Sequence, residues 1–289
     1  MKTKEIFDRY LLVRKNSQKG TYNSIKSAIK VWGAKLPKET DEITKSAVLC
    51  WLNNIKAKRK IIRPVFFAIK PAFDLAVSDG LLTKNPFSGI SMPSSNIAKI
   101  ECFKQEEIKI LLYNAQDYFK LYLAVAFYTG ARSGEILALT WDDINFLKKE
   151  IYINKSLSNG IVSNTTKTKV DRIVPLFDEL LPYLKNFAKN QSKWIFCDKK
   201  GDHLFGSPTL RKHWLKLISK TGIPYKPLRQ TRHTFATYMV KKALKKDSKI
   251  ELFWVSKILG HSTLKMKIDT YVRMFKDEHL KIDRDIDFY

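Results

Sequence analysis

The chain has 289 residues, and its 53 Lys and Arg against 28 Asp and Glu leave a formal charge of +25. A surplus of that size acts at long range on polyanions and dictates little about fold, so nucleic acid is the first partner to consider. No apolar run approaches the roughly 20 residues a membrane-spanning helix needs, and Met1-Lys2-Thr3-Lys4-Glu5 leads into no apolar signal segment.

Residues 1–90 predict a helical, DNA-binding domain. Apolar side chains recur at helical spacing in Ile6-Phe7 with Tyr10-Leu11-Leu12, in Tyr22, Ile25, Ile29 and Trp32, and in Val48, Trp51, Leu52 and Ile55. Thr44 and Ser46 offer N-caps for the third helix. A fourth apolar helical segment covers 65–77, closed by Asp79-Gly80, and Asn85-Pro86 breaks the pattern. Residues 1–99 carry 19 basic and 7 acidic side chains, +12, against +13 for the much longer remainder. Lys56, Lys58, Arg59, Lys60 and Arg63 are therefore candidate phosphate contacts.

Residues 91–101 are rich in turn formers and read as a linker. From 102 to 275 the pattern is mixed α+β: helices over 104–115, 118–129 and 133–139, strands over 150–153, 161–165 and 172–176, then helices near 177–189, 207–221, 230–246, 251–259 and 263–274. The tail, 276–289, holds three basic and five acidic groups, against the sign of the rest, and reads as solvated or packed on a basic surface. The predicted fold class is mainly α with a small β-sheet. Cys50, Cys102 and Cys197 lack the paired spacing of a zinc site or disulfide framework, which suggests a reduced, cytoplasmic chain without a structural metal.

Breaking a DNA strand without metal requires fixed cations around the phosphate, because negative charge grows on its non-bridging oxygens as a nucleophile adds. Arginine suits this with a planar, permanently charged fork. A tyrosine nucleophile, with a free pKa of about 10, needs help to lose its proton. The departing oxygen needs a proton, which a lysine can supply. The chain offers Arg132 in Thr129-Gly130-Ala131-Arg132-Ser133-Gly134-Glu135 and Lys167 and Lys169 in Thr166-Lys167-Thr168-Lys169. It also offers Arg232 in Arg229-Gln230-Thr231-Arg232-His233-Thr234-Phe235, and His261 in Leu259-Gly260-His261, ten residues before Tyr271. His233 diverges from Arg232 by about 100° on a helix and reads as structural.

Together these segments resemble the tyrosine recombinase, or phage-integrase, family over nearly the whole chain. The resemblance implies an N-terminal core-binding (SAM-like) domain, ending here in Asn85-Pro86-Phe87, and a C-terminal α+β catalytic domain, the two clamping double-stranded DNA. It implies that Arg132, Arg232 and His261 bind the scissile phosphate and that Tyr271 attacks it to give a 3′-phosphotyrosine. Lys167, eight residues before Pro175, would protonate the leaving oxygen, leaving Lys169 a phosphate contact at best. Neither metal nor other cofactor is implied. A homotetramer on two DNA sites is, with accessory DNA-bending or directionality proteins as further partners.

One position departs from the family pattern: Arg229 stands where a histidine is common, three residues before the second arginine. Arginine cannot accept a proton as a base, but it can stabilise phosphate and tyrosinate by charge. Since the helical pattern begins almost at Met1, no separate arm-binding domain is expected. The expected activity is integration or excision of a phage or mobile element. A DNA invertase, a dimer resolvase, a type IB topoisomerase-like enzyme and a catalytically impaired DNA-binding protein stand as alternatives.

Overall fold

A computed structural model of the chain divides into two compact units, Met1–Ala98 and Lys99–Tyr289. The structure describes residues 1–17, 19–54, 59–92, 101–164, 171–187, 192–204, 206–243 and 252–260. Among these, no helix is long and apolar enough to cross a membrane.

The first unit comprises helices α1 (Thr3–Val13), α2 (Lys19–Val31), α3 (Lys45–Asn54) and α4 (Arg59–Ser78). The last is longer than the predicted 65–77 because it runs through Pro64 and Pro71. Each proline removes one helical hydrogen bond. Both lie off the stripe formed by Val65, Phe66, Ile69, Ala72, Phe73 and Ala76, whose burial holds the helix together across them. The Asn85-Pro86-Phe87 segment anchors this core. Asn85 Oδ1 accepts from Phe87 N at 2.8 Å, Asn85 Nδ2 donates to Asp74 Oδ1 at 2.6 Å, and the fully buried Phe87 ring packs 4.8 Å from that of Phe73.

The second unit contains α5 (Gln105–Asn114), α6 (Asp117–Thr129), α7 (Ser133–Leu137), β1 (Ile144–Asn145), β2 (Glu150–Ile153), β3 (Ser156–Ser158), β4 (Ile161–Ser163) and β5 (Arg172–Pro175). Helices α8 (Leu181–Phe187), α9 (Ser207–Thr221), α10 (Gln230–Ala243) and α11 (Leu252–Leu259) follow. α6 is the central helix, buried from Leu121 through Phe127 without a polar face, so the other elements pack around it. The fold is mostly helical with small antiparallel sheets: one of order β1-β2-β5, the other a β3–β4 hairpin.

Several elements differ from the sequence prediction. β1 and β3 are two and three residues long, too short to show an alternation. α7 stops at Leu137 rather than 139, because the Thr140 amide and hydroxyl both donate to Asp143 Oδ2 at 2.8 Å and open a separate turn. The segment predicted as a helix from 177 begins as a 3-10 turn, Asp178–Leu180. Pro182, in the first turn of α8, cannot bond to the carbonyl four residues back, so the α-helix starts no earlier than Leu181. The predicted helix over 263–274 and the ends of those over 177–189 and 230–246 lie outside the described residues, as do part of the linker and the tail.

Candidate active site

The first arginine is set by the end of the central helix. α6 closes at Gly130, whose φ of 63° places it in the left-handed region that glycine adopts without strain. The Thr129 hydroxyl donates back to Val125 O at 2.6 Å and accepts from Ala131 N at 3.1 Å, fixing the turn. The chain then extends through Arg132 into α7. On the far side, the buried Tyr122 hydroxyl donates to Ser133 Oγ at 2.8 Å, and burial pushes that phenol above its usual pKa. A Cβ at Gly130 would overlap the ring of Phe235 on α10. Gly130→Ala thus combines a disfavoured φ with a clash, and it is expected to destabilise the second unit by about 2–4 kcal/mol in denaturant unfolding.

Glu135, buried in α7, is the hub of the site. Its Oε2 accepts from the Arg132 amide at 2.8 Å, and its Oε1 from Arg132 Nη1 at 2.8 Å. Arg172, at the start of β5, grips the same carboxylate through Nη2 to Oε2 at 2.5 Å and Nη1 to Oε1 at 3.3 Å. Burial alone would raise the Glu135 carboxyl; the hydrogen bonds and charge of Arg172, aided by Arg132, outweigh it and bring it down to about 2.

A carboxyl held below its unfolded value stabilises the fold above that value, and the contribution is lost as pH falls through the folded one. The window is therefore from about 4.5 down to about 2. A shift of this size corresponds to a pH-dependent contribution on the order of 3 kcal/mol. Glu135→Gln is expected to lower the melting temperature at pH 7, with the gap to the parent narrowing towards pH 3. An equal gap at both pH values would show that the carboxylate is not held in this way.

The second arginine bridges two helix ends. Arg232, on α10, donates from Nη1 to Gly130 O at the end of α6, at 2.8 Å, and from Nη2 to Leu259 O at the end of α11. These carbonyls carry the negative end of each helix dipole, a favourable setting for a cation. Burial, with the charges of Arg132 and Arg172 nearby, pushes the Arg232 guanidinium down to about 9, so it stays charged at neutral pH. α11 also closes on a left-handed glycine, Gly260, with φ of 61°. Three guanidinium groups thus gather around one carboxylate, an arrangement with positive charge to spare for an anion.

Arg229 sits on an exposed turn before α10 and has no side-chain hydrogen bond or ion pair among the described residues. The loop beneath it is fixed. Lys226 donates to both oxygens of Glu107 at 2.7 and 2.9 Å, its carbonyl accepts from Trp214 Nε1 at 2.9 Å, and Pro227 O accepts from Gln230 N at 2.8 Å. Burial favours a higher Glu107 pKa, but the paired Lys226 ammonium holds it below its usual value.

Of the sequence-predicted site residues, the structure brings Arg132 and Arg232 together around Gly130 and Glu135. Lys56, Lys58, Lys167, Lys169, His261 and Tyr271 lie outside the described residues; Gly260, directly before His261, packs against Arg172. Arg63 is exposed on α4, its guanidinium 5.2 Å from the Phe67 ring centroid, and the helix begins at Arg59 with Lys60 next to it. The sequence reading missed Arg172, which it took only as the first residue of a strand. β5 alternates with Arg172 and Val174 inward and Ile173 outward, so the sole sequence signal was a cation in phase with the buried valine.

This fold is the tyrosine recombinase type, with a helical unit preceding a mixed unit whose arginine-bearing turns meet at the ends of two helices. It aligns with the Tn1549 transposon integrase in complex with a circular intermediate DNA at a TM-score of 0.79 and 16% identity, covering 93% of this chain and 95% of that one. It aligns with a lambda integrase dimer bound to a COC′ core site at 0.78 and 18%, covering 100% of both chains. The chain belongs to the phage integrase family, whose model matches residues 101–278. A tyrosine recombinase XerC-like protein of Caldanaerobacter subterraneus subsp. tengcongensis is 29% identical, over 74% of this chain and 62% of the relative. The ICEBs1 integrase of Bacillus subtilis is 26% identical, over 79% and 65% respectively. The chain therefore spans less than two thirds of the length of these curated relatives.

Proposed function

We propose that this chain is a site-specific DNA recombinase that integrates or excises a mobile element. The observation that carries this reading is the meeting of Arg132 and Arg232, a hundred residues apart in sequence, at one cationic site whose last helix leads into His261. Tyr271 Oη attacks the phosphorus, the bond from phosphorus to the 5′ oxygen breaks, and a 3′-phosphotyrosine and a 5′ hydroxyl result. Arg132, Arg232 and His261 hold the non-bridging oxygens as charge builds on them. Lys167 gives its proton to the departing 5′ oxygen. Arg229 adds charge rather than accepting a proton. Because the covalent link conserves the energy of the broken bond, rejoining to a partner strand requires no ATP.

The duplex backbone is held by Lys56, Lys58, Arg59, Lys60, Arg63 and Lys169, in keeping with the density of positive charge in the first 99 residues. The working assembly is a tetramer on two DNA sites, a reading supported by the fold likeness to a lambda integrase recorded as a tetramer bound to a Holliday junction. Integration is favoured by relatives named as integrases, of ICEBs1 and of an Escherichia coli prophage. A dimer resolvase or invertase of the same family is the second reading, since other relatives are named as tyrosine recombinases without a mobile element.

The test uses the full chain and a pool of nicked duplexes of random sequence. The expected result is a protein–DNA adduct that survives denaturing detergent, with the protein on a 3′ phosphate. Plasmids bearing two copies of the selected site should then recombine. Supercoil relaxation without exchange would point instead to a topoisomerase, and binding without any adduct to a DNA-binding protein.

A further inference from the structure

We infer that Arg172 is a positioning residue: it holds both oxygens of Glu135 so that Arg132 gives that carboxylate only Nη1 and keeps the rest of its fork for the phosphate, and it ties the Arg132 turn to the end of α11. The inference rests on the recombinase reading for its functional consequence, but its structural basis is independent. The Arg172 side chain is 3% exposed, against 24% for Arg132, so it is closed to a ligand the size of a phosphodiester. All three of its nitrogens are committed: Nε donates to Ile258 O at 2.6 Å, and Nη1 and Nη2 donate to the two oxygens of Glu135. Gly260 leaves room for this grip, since a Cβ there would stand 3.2 Å from Arg172 Cδ. One side chain thus joins β5, α7 and α11, the elements that adjoin Lys167, Arg132 and His261 in sequence.

The carboxylate explains why the grip matters. A buried Glu135 must be paired, and among the described residues Arg172 and Arg132 are the ones bonded to it through their side chains. Arg172 reaches both oxygens, while the Arg132 side chain reaches one. Without Arg172, Arg132 is the side chain left bonded to Glu135 among the described residues, and its guanidinium is drawn inward, away from the substrate. At the same time Ile258 O loses its donor, and the end of α11 keeps only the Arg232 bond to Leu259 O of the two that hold it among the described residues.

The experiment compares the parent with Arg172→Lys, Arg172→Met and Arg172→Met/Glu135→Gln. It measures single-turnover adduct formation at saturating protein on the duplex selected by the parent, together with DNA affinity and melting. Arg172→Met is expected to slow adduct formation about 100-fold with affinity within about 3-fold. The added Glu135→Gln is expected to recover about 10-fold of that loss, because the carboxylate that captured Arg132 has been neutralised. Arg172→Lys, which keeps a charge in the pocket and guards against a chain that does not fold, is expected to fall between parent and Arg172→Met. Its single ammonium cannot serve Glu135 and Ile258 O in the same geometry. Phenylglyoxal labelling at Arg132, read by mass spectrometry, should slow in Arg172→Met and recover in the double variant, whether or not DNA is cleaved. Adduct formation by Arg172→Lys within 3-fold of the parent, a double variant slower than the single, or unchanged Arg132 labelling would overturn the inference. A parent that forms no adduct would overturn the recombinase reading instead, with the labelling result still deciding the role of Arg172.

Discussion

Arg232→Lys is expected to lower adduct formation by about 1,000-fold or more at saturating protein, corresponding to about 4 kcal/mol of transition-state stabilisation. The charge is conserved in this variant; the geometry is not. Arg232 spans Gly130 O and Leu259 O with two different nitrogens, and its planar fork still has N–H groups to turn towards an anion. A lysine ammonium is a point charge on a flexible stem, so binding one helix end costs it the other. Arg232→Ala should do the same to cleavage and also lower the melting temperature, since two helix-terminal carbonyls lose their donor. Comparing cleavage rates with melting for the two variants separates catalysis from folding. Arg232→Lys should melt closer to the parent than Arg232→Ala while cleaving almost as poorly. A lysine variant within 10-fold of the parent would show that charge alone suffices.

The contrast between Arg232 and Arg172 shows how far the sequence reaches. Arg132 and Arg232 stand in short turn-and-helix segments whose order along the chain could be recognised, so their candidacy was legible before any geometry was known. The helices were legible for a related reason. α9 runs over Ser207–Thr221, as its apolar spacing predicts, because its period is set by burial against one core. Arg172 was not legible. Its role depends on which face of β5 turns inward and on Glu135 lying 37 residues upstream. Strand alternation gives the period of a strand but not its phase when a cation and a valine share one face. β1 and β3 were missed because two or three residues show no period, and the start of α8 because the clash at Pro182 acts four residues back along the chain. Local periodicity is written in the sequence; pairings between distant segments are written only in the packing.

Those pairings also bear on Arg229. The turn carrying it is pinned from below by Lys226 and Pro227, while the side chain is left exposed. Among the described residues, a cation presented this way has no hydrogen bond or ion pair to break before meeting a phosphate, so the arginine at this position is compatible with the proposed site. What it cannot do is take the proton of the nucleophile. On the proposed mechanism, the cost of ionising that group then falls on the field of Arg132 and Arg232.

Tyr271→Phe is expected to abolish the adduct, because phenylalanine has no oxygen with which to form the bond to phosphorus. A free phenol with a pKa near 10 is ionised in about one molecule in a thousand at pH 7, a penalty of about 4 kcal/mol on attack. In the proposed mechanism Arg132 and Arg232 reduce that penalty by favouring the anion, and the same charges hold the phosphate. Removing one oxygen should leave those charges, and with them the DNA affinity, within about 2-fold of the parent. The variant should therefore retard the selected duplex in a gel as well as the parent does, while yielding no detergent-resistant complex. In the parent, adduct formation should rise with pH on the alkaline side of neutrality, since no imidazole stands at position 229 to take the proton. A Tyr271→Phe chain that still links to DNA would move the nucleophile elsewhere. A rate flat from pH 6 to 9 would show that another group takes the proton in place of the missing histidine.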